Sequence, residues 1–285
     1  MDLGRISYKI AMLLLLILVL FLNFIPIYQI TVNAFKGIDD YNGAGEYAGQ
    51  GVNVFMPPRR WTLSSFAYFF EETTAIRAFL NNVILSVSCV VILEVLGAIT
   101  ALVLAQYQMR FTNRLVQFLI GAQAIPIVMT MLTTFRVTRA LHWLDTYQGA
   151  VVALSAQFLP FVIFLFYSYY LDLSREILEA AEIDGASFLQ TFFRVVLPMS
   201  TTIVATVGIL IFIFVWATYL VGLVVLRKEE MYILSQVIQN MEIALRLRIP
   251  VYFASFVVFS LPMLAVARWA QRYISTGMLA GAVKE

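Results

Sequence analysis

The chain has 285 residues, of which 61% are hydrophobic and 13% are charged, and its mean hydropathy is +0.86. Soluble domains are about half apolar and a quarter charged, so this composition excludes an ordinary soluble fold and predicts an integral membrane protein. The net charge of +2 is too small and dispersed for a nucleic-acid-binding face. Cys89 is the single cysteine, which excludes an intrachain disulfide, and His142 is the single histidine, which excludes a multi-histidine metal site.

Stretches with few or no charged residues predict six transmembrane helices. Each stretch is long enough to cross a hydrocarbon core of about 30 Å as a helix, whereas barrel strands would show alternating polarity. The first stretch runs between Lys9 and Lys36 and predicts a retained anchor, since it is too long for the apolar part of a secretory signal. The other five lie at 78–109, interrupted only by Glu94, and at 115–135, 146–171, 195–226 and 249–267.

The links at 36–77 and 227–248 have different compositions. Link 36–77 contains several glycines, then Pro57-Pro58 and an aromatic stretch from Trp61 to Phe70 that is predicted to be partly helical. Its glycines look superficially like a phosphate loop, but no Gly-Lys-Ser/Thr follows, and the composition favours flexible turns. Link 227–248 has apolar residues at a helical period from Met231 to Leu245. It predicts either a helix at the membrane interface or a docking surface for a partner.

Residues 172–200 carry the most informative pattern in the chain. Ser174 is a favourable helix N-cap, and Gly185 can take the left-handed conformation that ends a helix. Ser187, with Gln190 three residues later, matches a capping box for a second short helix. The segment therefore predicts a helix, a glycine corner and a second helix. The first helix carries acidic residues at spacings of three along one side, namely Glu176, Glu179 and Glu182.

The order of motifs in this segment resembles the EAA loop of ABC-importer permease subunits. Glu179-Ala180-Ala181 is followed three residues later by Asp184-Gly185-Ala186, and eleven residues further by Leu197-Pro198. The Asn81-Asn82 pair, the Gln123–Pro126 region and the closing residues 277–284 are similar to the carbohydrate-importer branch. These closing residues, the tail, resemble the end of maltose-transporter subunits of the MalG type. The chain departs from the family pattern at Ser174, where proline is common, and at Glu285, where glycine is common.

The resemblance implies an all-α integral membrane protein with the six-helix fold of a type I ABC importer permease. Such a subunit forms half of a path for a sugar or related polar solute. The implied partners are a second permease subunit, two copies of a nucleotide-binding ATPase subunit and an extracytoplasmic solute-binding protein. The chain lacks a P-loop lysine motif, so it is expected not to be catalytic and to bind no cofactor, with ATP and Mg on the ATPase subunits.

The resemblance also assigns roles to individual residues. In the family, the EAA helix is the coupling helix that sits on the ATPase subunit, and the tail touches the ATPase dimer. The expected coupling residues are Glu179, Ala180, Ala181, Asp184, Gly185, Ala186, Leu197 and Pro198. The expected tail contacts are Gly277, Gly281, Ala282, Val283 and Lys284.

Lysines and arginines are split almost evenly between the two sides, so the positive-inside rule does not decide the orientation of the chain in the membrane. The coupling role sets the expected orientation instead. With 172–194 in the cytoplasm of a prokaryote, both termini of this multi-pass inner-membrane protein are cytoplasmic as well. The predicted parts are an N-terminal end with the first helix at 1–36, an external loop at 37–77, a core of five helices at 78–271 and a tail at 272–285.

Three residues within the predicted spans are candidates for the solute path. Glu94 lies near the middle of the second span, where an ionisable group is costly. It could meet a sugar hydroxyl or pair with a polar group of the partner permease. Trp216 and Tyr219 in the fifth span could stack on a sugar ring or could simply pack in the protein.

Two other functions compete with the permease interpretation. A self-sufficient secondary transporter usually shows internal repeats with broken helices, and no repeat relates residues 1–140 to 141–285. A non-transporting membrane scaffold would have no reason to carry an EAA-like loop.

Overall fold

The computed structural model describes residues 3–107, 110–244 and 248–282, and these residues form helices joined by turns, with no strand among them. Four helices are individually long and apolar enough to cross a membrane. They are α1 (Leu3–Ala34), α4 (Ala75–Gln106), α7 (Tyr147–Tyr170) and α14 (Ile249–Ala282). The shorter helices are α2 (Ile38–Asn42), α3 (Ser64–Glu71), α5 (Thr112–Ala122), α6 (Ile127–Ala140), α8 (Arg175–Ile183), α9 (Phe188–Thr191), α10 (Leu197–Met199), α11 (Thr201–Trp216), α12 (Leu220–Val225) and α13 (Leu234–Ala244).

The all-α prediction is confirmed, but two of the six predicted spans are not continuous helices. The third, predicted at 115–135, consists of α5 and α6, which meet at an angle of 99°. The fifth, predicted at 195–226, starts from a segment at Phe188–Met199 that is bent by 84° against α11. Six spans result when each bent pair is taken as one span.

Proline explains the break in the third span. Pro126 is the N-cap of α6 with an extended ψ of 134°, and its ring restricts the preceding Ile125 to non-helical conformations. The prolines inside α1, α7 and α14 do not end those helices. The break at Pro126 therefore interrupts a stretch that has no charged residue between Arg114 and Arg136.

The fifth span ends early, at Trp216, and side chains from elsewhere satisfy the backbone there. The Asn82 amide donates to the carbonyl oxygen of Trp216 at 3.0 Å, and the Ser235 hydroxyl donates to that of Thr218 at 2.6 Å. Carbonyl groups at a helix end lack intrahelical partners, and leaving them unpaired inside a membrane protein is costly. These two bonds allow the chain to leave the helix before α12 begins.

The chain divides into two compact units. The second unit, Ile76–Gln236 with Pro262–Glu285, contains most of the predicted core segment 78–271. In it α7 contacts α5, α6, α11 and α12. Its core is formed by large apolar side chains that are fully or almost fully buried, among them Leu85, Leu93, Leu154, Phe166, Phe192 and Ile211.

The first unit, Met1–Ala75 with Val237–Leu261, contains the glycine-rich link. As predicted, its glycines form turns, and Gly43 has a φ of 65° at a point where a Cβ would lie 2.3 Å from the carbonyl oxygen of Gly51. The buried Asp40 carboxylate pairs with Arg59 at 3.1 Å and fixes the link. The Lys36 ammonium donates to Asn33 at 2.8 Å, and its burial lowers its pKa below the ordinary value despite the nearby Asp40 carboxylate.

Link 227–248 contains the predicted helix as α13. Its apolar residues Val237, Ile238 and Met241 are buried within the protein. Neither lipid nor a partner is therefore needed to cover this apolar face, which corrects both interpretations of it. Leu245, the last residue of the predicted apolar pattern, lies outside the described residues.

Candidate coupling loop and solute path

Segment 172–200 folds as the predicted helix, glycine corner and second helix. The Ser174 hydroxyl accepts a hydrogen bond from the Glu176 amide at 3.3 Å and caps α8. Gly185 follows the end of α8 with a φ of 77°, in the left-handed region. Ser187 and Gln190 form a reciprocal capping box at the start of α9. Local sequence signals thus account for both helix starts and for the corner between them.

One of the expected coupling residues does not lie on the exposed surface of this loop. Glu179, Ala180 and Gly185 are exposed, but the Ala181 side chain is only 8% exposed because it packs against its own chain. Ala181 therefore supports the loop from within, and this corrects its expected place on the docking face. The most exposed large apolar side chain described is Ile183, at 86%. It stands beside the exposed carboxylate of Asp184.

Three long-range hydrogen bonds fix the loop to neighbouring helices. The side-chain amide of Gln106, at the end of α4, donates to the carbonyl oxygens of Tyr170 at 2.8 Å and Leu173 at 3.2 Å. The Arg175 guanidinium, at the start of α8, donates to the Gln106 carbonyl oxygen at 2.6 Å. The ends of α4 and α7 and the start of α8 are therefore joined at one point. Sequence reasoning did not identify Gln106 or Arg175, because no local pattern signals contacts more than 60 residues apart.

The second half of the loop leads into the bent fifth span. After α9 the chain widens into a π-helical turn, Phe192–Val196, and then continues as α10. Leu197 packs against the hydrophobic core, whereas Pro198 is exposed. Leu197 thus anchors the loop, and Pro198 stands at the surface close to the 84° bend.

Glu94 lines a cavity of about 390 Å³ among apolar side chains of α4, α11 and α14. Its carboxylate forms no hydrogen bond or ion pair within the described part of the chain. Gly208 of α11 makes room for it, since a Cβ at that position would lie 2.5 Å from Glu94 Oε1. The position therefore leaves an acidic group at the wall of the cavity with no partner in the described part of its own chain.

The two aromatic candidates for the solute path have different environments. Trp216 is fully buried, lies in an edge contact with Phe79 at 5.5 Å and stacks on Phe212 at 5.5 Å. A sugar cannot reach its faces in this structure, so of the two interpretations of Trp216 the structure favours packing within the protein. Tyr219 is half-buried at the break before α12 and retains an accessible surface.

The tail continues α14 as helix through Ala282. Gly277, Gly281 and Ala282 are part of this helix, whereas Val283 and Lys284 lie outside the described residues. No group of three or more His, Cys, Asp or Glu side chains that could hold a metal ion occurs within the described part of the chain.

Comparison with known proteins gives concordant matches. Residues 95–279 match the family described as the binding-protein-dependent transport system inner membrane component. The chain is 28% identical to the diacetylchitobiose uptake system permease protein NgcG of Streptomyces coelicolor over 78% of this chain and 70% of that protein. It is 24% identical to the arabinooligosaccharides transport system permease protein AraQ of Bacillus subtilis over 97% of this chain and 96% of that protein.

Further matches extend the comparison to another relative and to a solved structure. The chain is 24% identical to the melibiose/raffinose/stachyose import permease protein MelC of Bacillus subtilis over 92% of each chain. Its fold matches a chain of a bacterial ABC transporter involved in the import of the acidic polysaccharide alginate, with a TM-score of 0.80. That match covers 96% of this chain and 98% of the other at 22% identity, so it establishes the fold alone.

Proposed function

Because the chain belongs to the family of binding-protein-dependent transport system inner membrane components, we propose that it carries a sugar or oligosaccharide. It does so as one of two permease subunits that enclose the path. The relatives named above are permeases for diacetylchitobiose, arabinooligosaccharides and raffinose-type sugars. Their shared substrate class supports the proposal, and the family assignment does not favour the alternative of a secondary transporter.

The observation that carries the proposal is the exposure of α8 together with its firm attachment to α4 and α7. The exposed Ile183 offers an apolar contact that nothing within the described part of the chain covers. Glu179 and Asp184 add exposed negative charge around it. We assign this surface to a cleft of a separate ATPase subunit, which binds ATP and Mg, and two copies of that subunit serve the two permeases.

The attachment of α8 gives the proposed mechanism. A movement of the ATPase pushes α8, and the Gln106 and Arg175 hydrogen bonds carry the displacement to the ends of α4 and α7. The permease pair then switches between inward-facing and outward-facing states. A ligand shifts such an equilibrium only by its differential affinity for the two states, so the free energy of ATP binding must act through this contact.

The same assignment orients the chain. The loop at 172–194 faces the cytoplasm, and so do both termini and the tail, which contacts the ATPase dimer. The links at 36–77 and 227–248 then face outward, where a solute-binding protein docks.

Purification from native membranes tests the proposal. The chain should be isolated with a second permease and with ATPase subunits, and the complex in proteoliposomes should import an oligosaccharide only with ATP and the binding protein. Isolation as a single component that imports solute in response to an ion gradient would contradict the proposed function.

A further inference from the structure

The second unit contains another cavity, of about 570 Å³, at the break in the third span. The break between α5 and α6 and the middle of α7 form most of its wall, and α11 and α12 contribute the rest. Its volume lies within the range of about 300–1,000 Å³ that is typical of small-molecule sites. None of the residues considered above for the solute path lines it.

The backbone at this break cannot face lipid. Residues 123–126 are non-helical and exposed, and they lie midway along the charge-free stretch between Arg114 and Arg136. Non-helical backbone at membrane depth is tolerated only where protein covers it or where it lines a water-filled space. The cavity is therefore either filled by another protein or part of an aqueous path.

The polar groups of the wall are suited to hydroxyl groups. Gln123 and Gln157 both line the cavity, and neither carboxamide forms a hydrogen bond within the described part of the chain. A carboxamide both donates and accepts hydrogen bonds, as a sugar hydroxyl does. Thr130 donates to the Ile127 carbonyl oxygen at 2.8 Å, and its hydroxyl oxygen can still accept. No charged side chain lines the cavity.

An aromatic group forms another part of the wall. Phe214 of α11 stacks on Phe158 of α7, with ring centroids 5.8 Å apart and planes inclined by 19°. The ring of Phe161 also packs against that of Phe214, with centroids 6.0 Å apart. Aromatic surfaces provide apolar contact for the C–H faces of a sugar ring, while a few placed polar groups fix its orientation.

We propose that this cavity is a binding subsite for a neutral sugar on the translocation path, with Gln123 and Gln157 as its hydrogen-bonding groups. The inference rests on the proposed function. The combination of unpartnered carboxamides, aromatic faces and no charge favours a neutral polyhydroxylated ligand over an anionic one. It also favours such a ligand over a helix of the second permease, because an apolar helix would leave both carboxamides unpaired.

Substitution of Gln157 in the purified complex tests the proposal. The measurement is ATP-driven uptake of radiolabelled raffinose, arabinotriose, diacetylchitobiose and an anionic oligouronide into proteoliposomes, with saturating binding protein. Gln157→Leu should raise the KM for the imported sugar at least tenfold, and Gln157→Asn should restore part of the loss. Gln117→Leu is the matched control, because Gln117 is exposed on α5 and does not line the cavity.

Three results would overturn the subsite. Uptake kinetics of Gln157→Leu equal to those of the wild type would exclude Gln157 from the path. Loss of the second permease from the purified Gln157→Leu complex would identify the cavity as a protein interface. Import of only anionic saccharides by the wild type would contradict a neutral ligand. A wild-type complex that imports no saccharide at all would instead contradict the proposed function itself.

Discussion

The guanidinium of Arg175 donates a hydrogen bond of 2.6 Å to the carbonyl oxygen of Gln106, so the first residue of α8 is joined to the last residue of α4. Gln106 in turn donates to the end of α7 through its side chain. A surface loop held by only its own two ends could move without moving the spans. This contact ties α8 to α4 and α7, which are the helices that it is proposed to move.

Breaking this attachment should uncouple movement of α8 from movement of α4 and α7. Arg175→Met removes the hydrogen bond to the Gln106 carbonyl oxygen, whereas Gln106→Leu keeps that carbonyl and removes the side-chain hydrogen bonds to the end of α7. Each loss is worth about 1–3 kcal/mol. We expect both variants to retain the ATPase subunits but to import several-fold less sugar for each ATP hydrolysed. The measurement is the ratio of uptake to phosphate release in proteoliposomes. Arg114→Met, at an exposed arginine of α5, should keep the wild-type ratio.

Gly185 should be sensitive because of its backbone conformation. A β-branched residue at its φ of 77° is strained by at least about 1–2 kcal/mol, whereas asparagine tolerates the left-handed region. A Cβ at this position meets no atom of this chain within 4 Å. Gly185→Val should therefore weaken retention of the ATPase during purification more than Gly185→Asn does. Equal retention by both variants would show that the conformation of the corner is unimportant for docking.

The proposed orientation predicts which positions are accessible from outside. In a Cys89→Ala background, Ala48→Cys should react with an impermeant thiol reagent added to intact cells, and Asp172→Cys should react only after permeabilisation. Both side chains are exposed, and neither position is a glycine with a positive φ. The opposite labelling pattern would invert the orientation.

The tail should contribute to coupling without contributing to insertion. Gly277 and Gly281 lie in the last turns of the long helix α14, which is anchored by its apolar first half. Removal of residues 277–285 should leave the amount of membrane-inserted protein unchanged and lower the hydrolysis stimulated by the binding protein. Full stimulation after truncation would assign the tail no role in ATPase contact.

Glu94 and Gly208 should behave as a coupled pair. Gly208→Ala places a methyl group 2.5 Å from the present position of Glu94 Oε1, so the carboxylate must move. We expect Gly208→Ala to reduce transport in the presence of Glu94 and to have little further effect in a Glu94→Ala background. Additive losses in the double variant would mean that the two residues act independently.

The sequence predicts the parts of the loop that depend on neighbouring residues. The caps at Ser174 and Ser187 and the corner at Gly185 are set within four residues, and the structure has all three. The contact of Arg175 with Gln106 spans 69 positions, and no pattern in one sequence reveals it. The break at Pro126 carried a recognisable signal, since proline restricts the residue before it.

The burial of two candidate site residues could not be predicted from the sequence, for one shared reason. An alanine or a tryptophan has the same chemistry on a docking surface and in a core, and only tertiary packing decides between them. Ala181 and Trp216 are both buried in their own chain, although their helices also present exposed residues. For Trp216, helical periodicity could not separate the two cases, because α11 is apolar around most of its circumference.

Cross-linking at Ile183 tests the central claim most directly, namely that ATPase subunits engage this chain through α8. A photoreactive benzoylphenylalanine in place of Ile183 can be irradiated in native membranes, with the same group in place of Ala48 as the control. The account predicts a covalent adduct with the ATPase subunit from position 183 and none from position 48. Absence of that adduct in a complex that still imports sugar would contradict it.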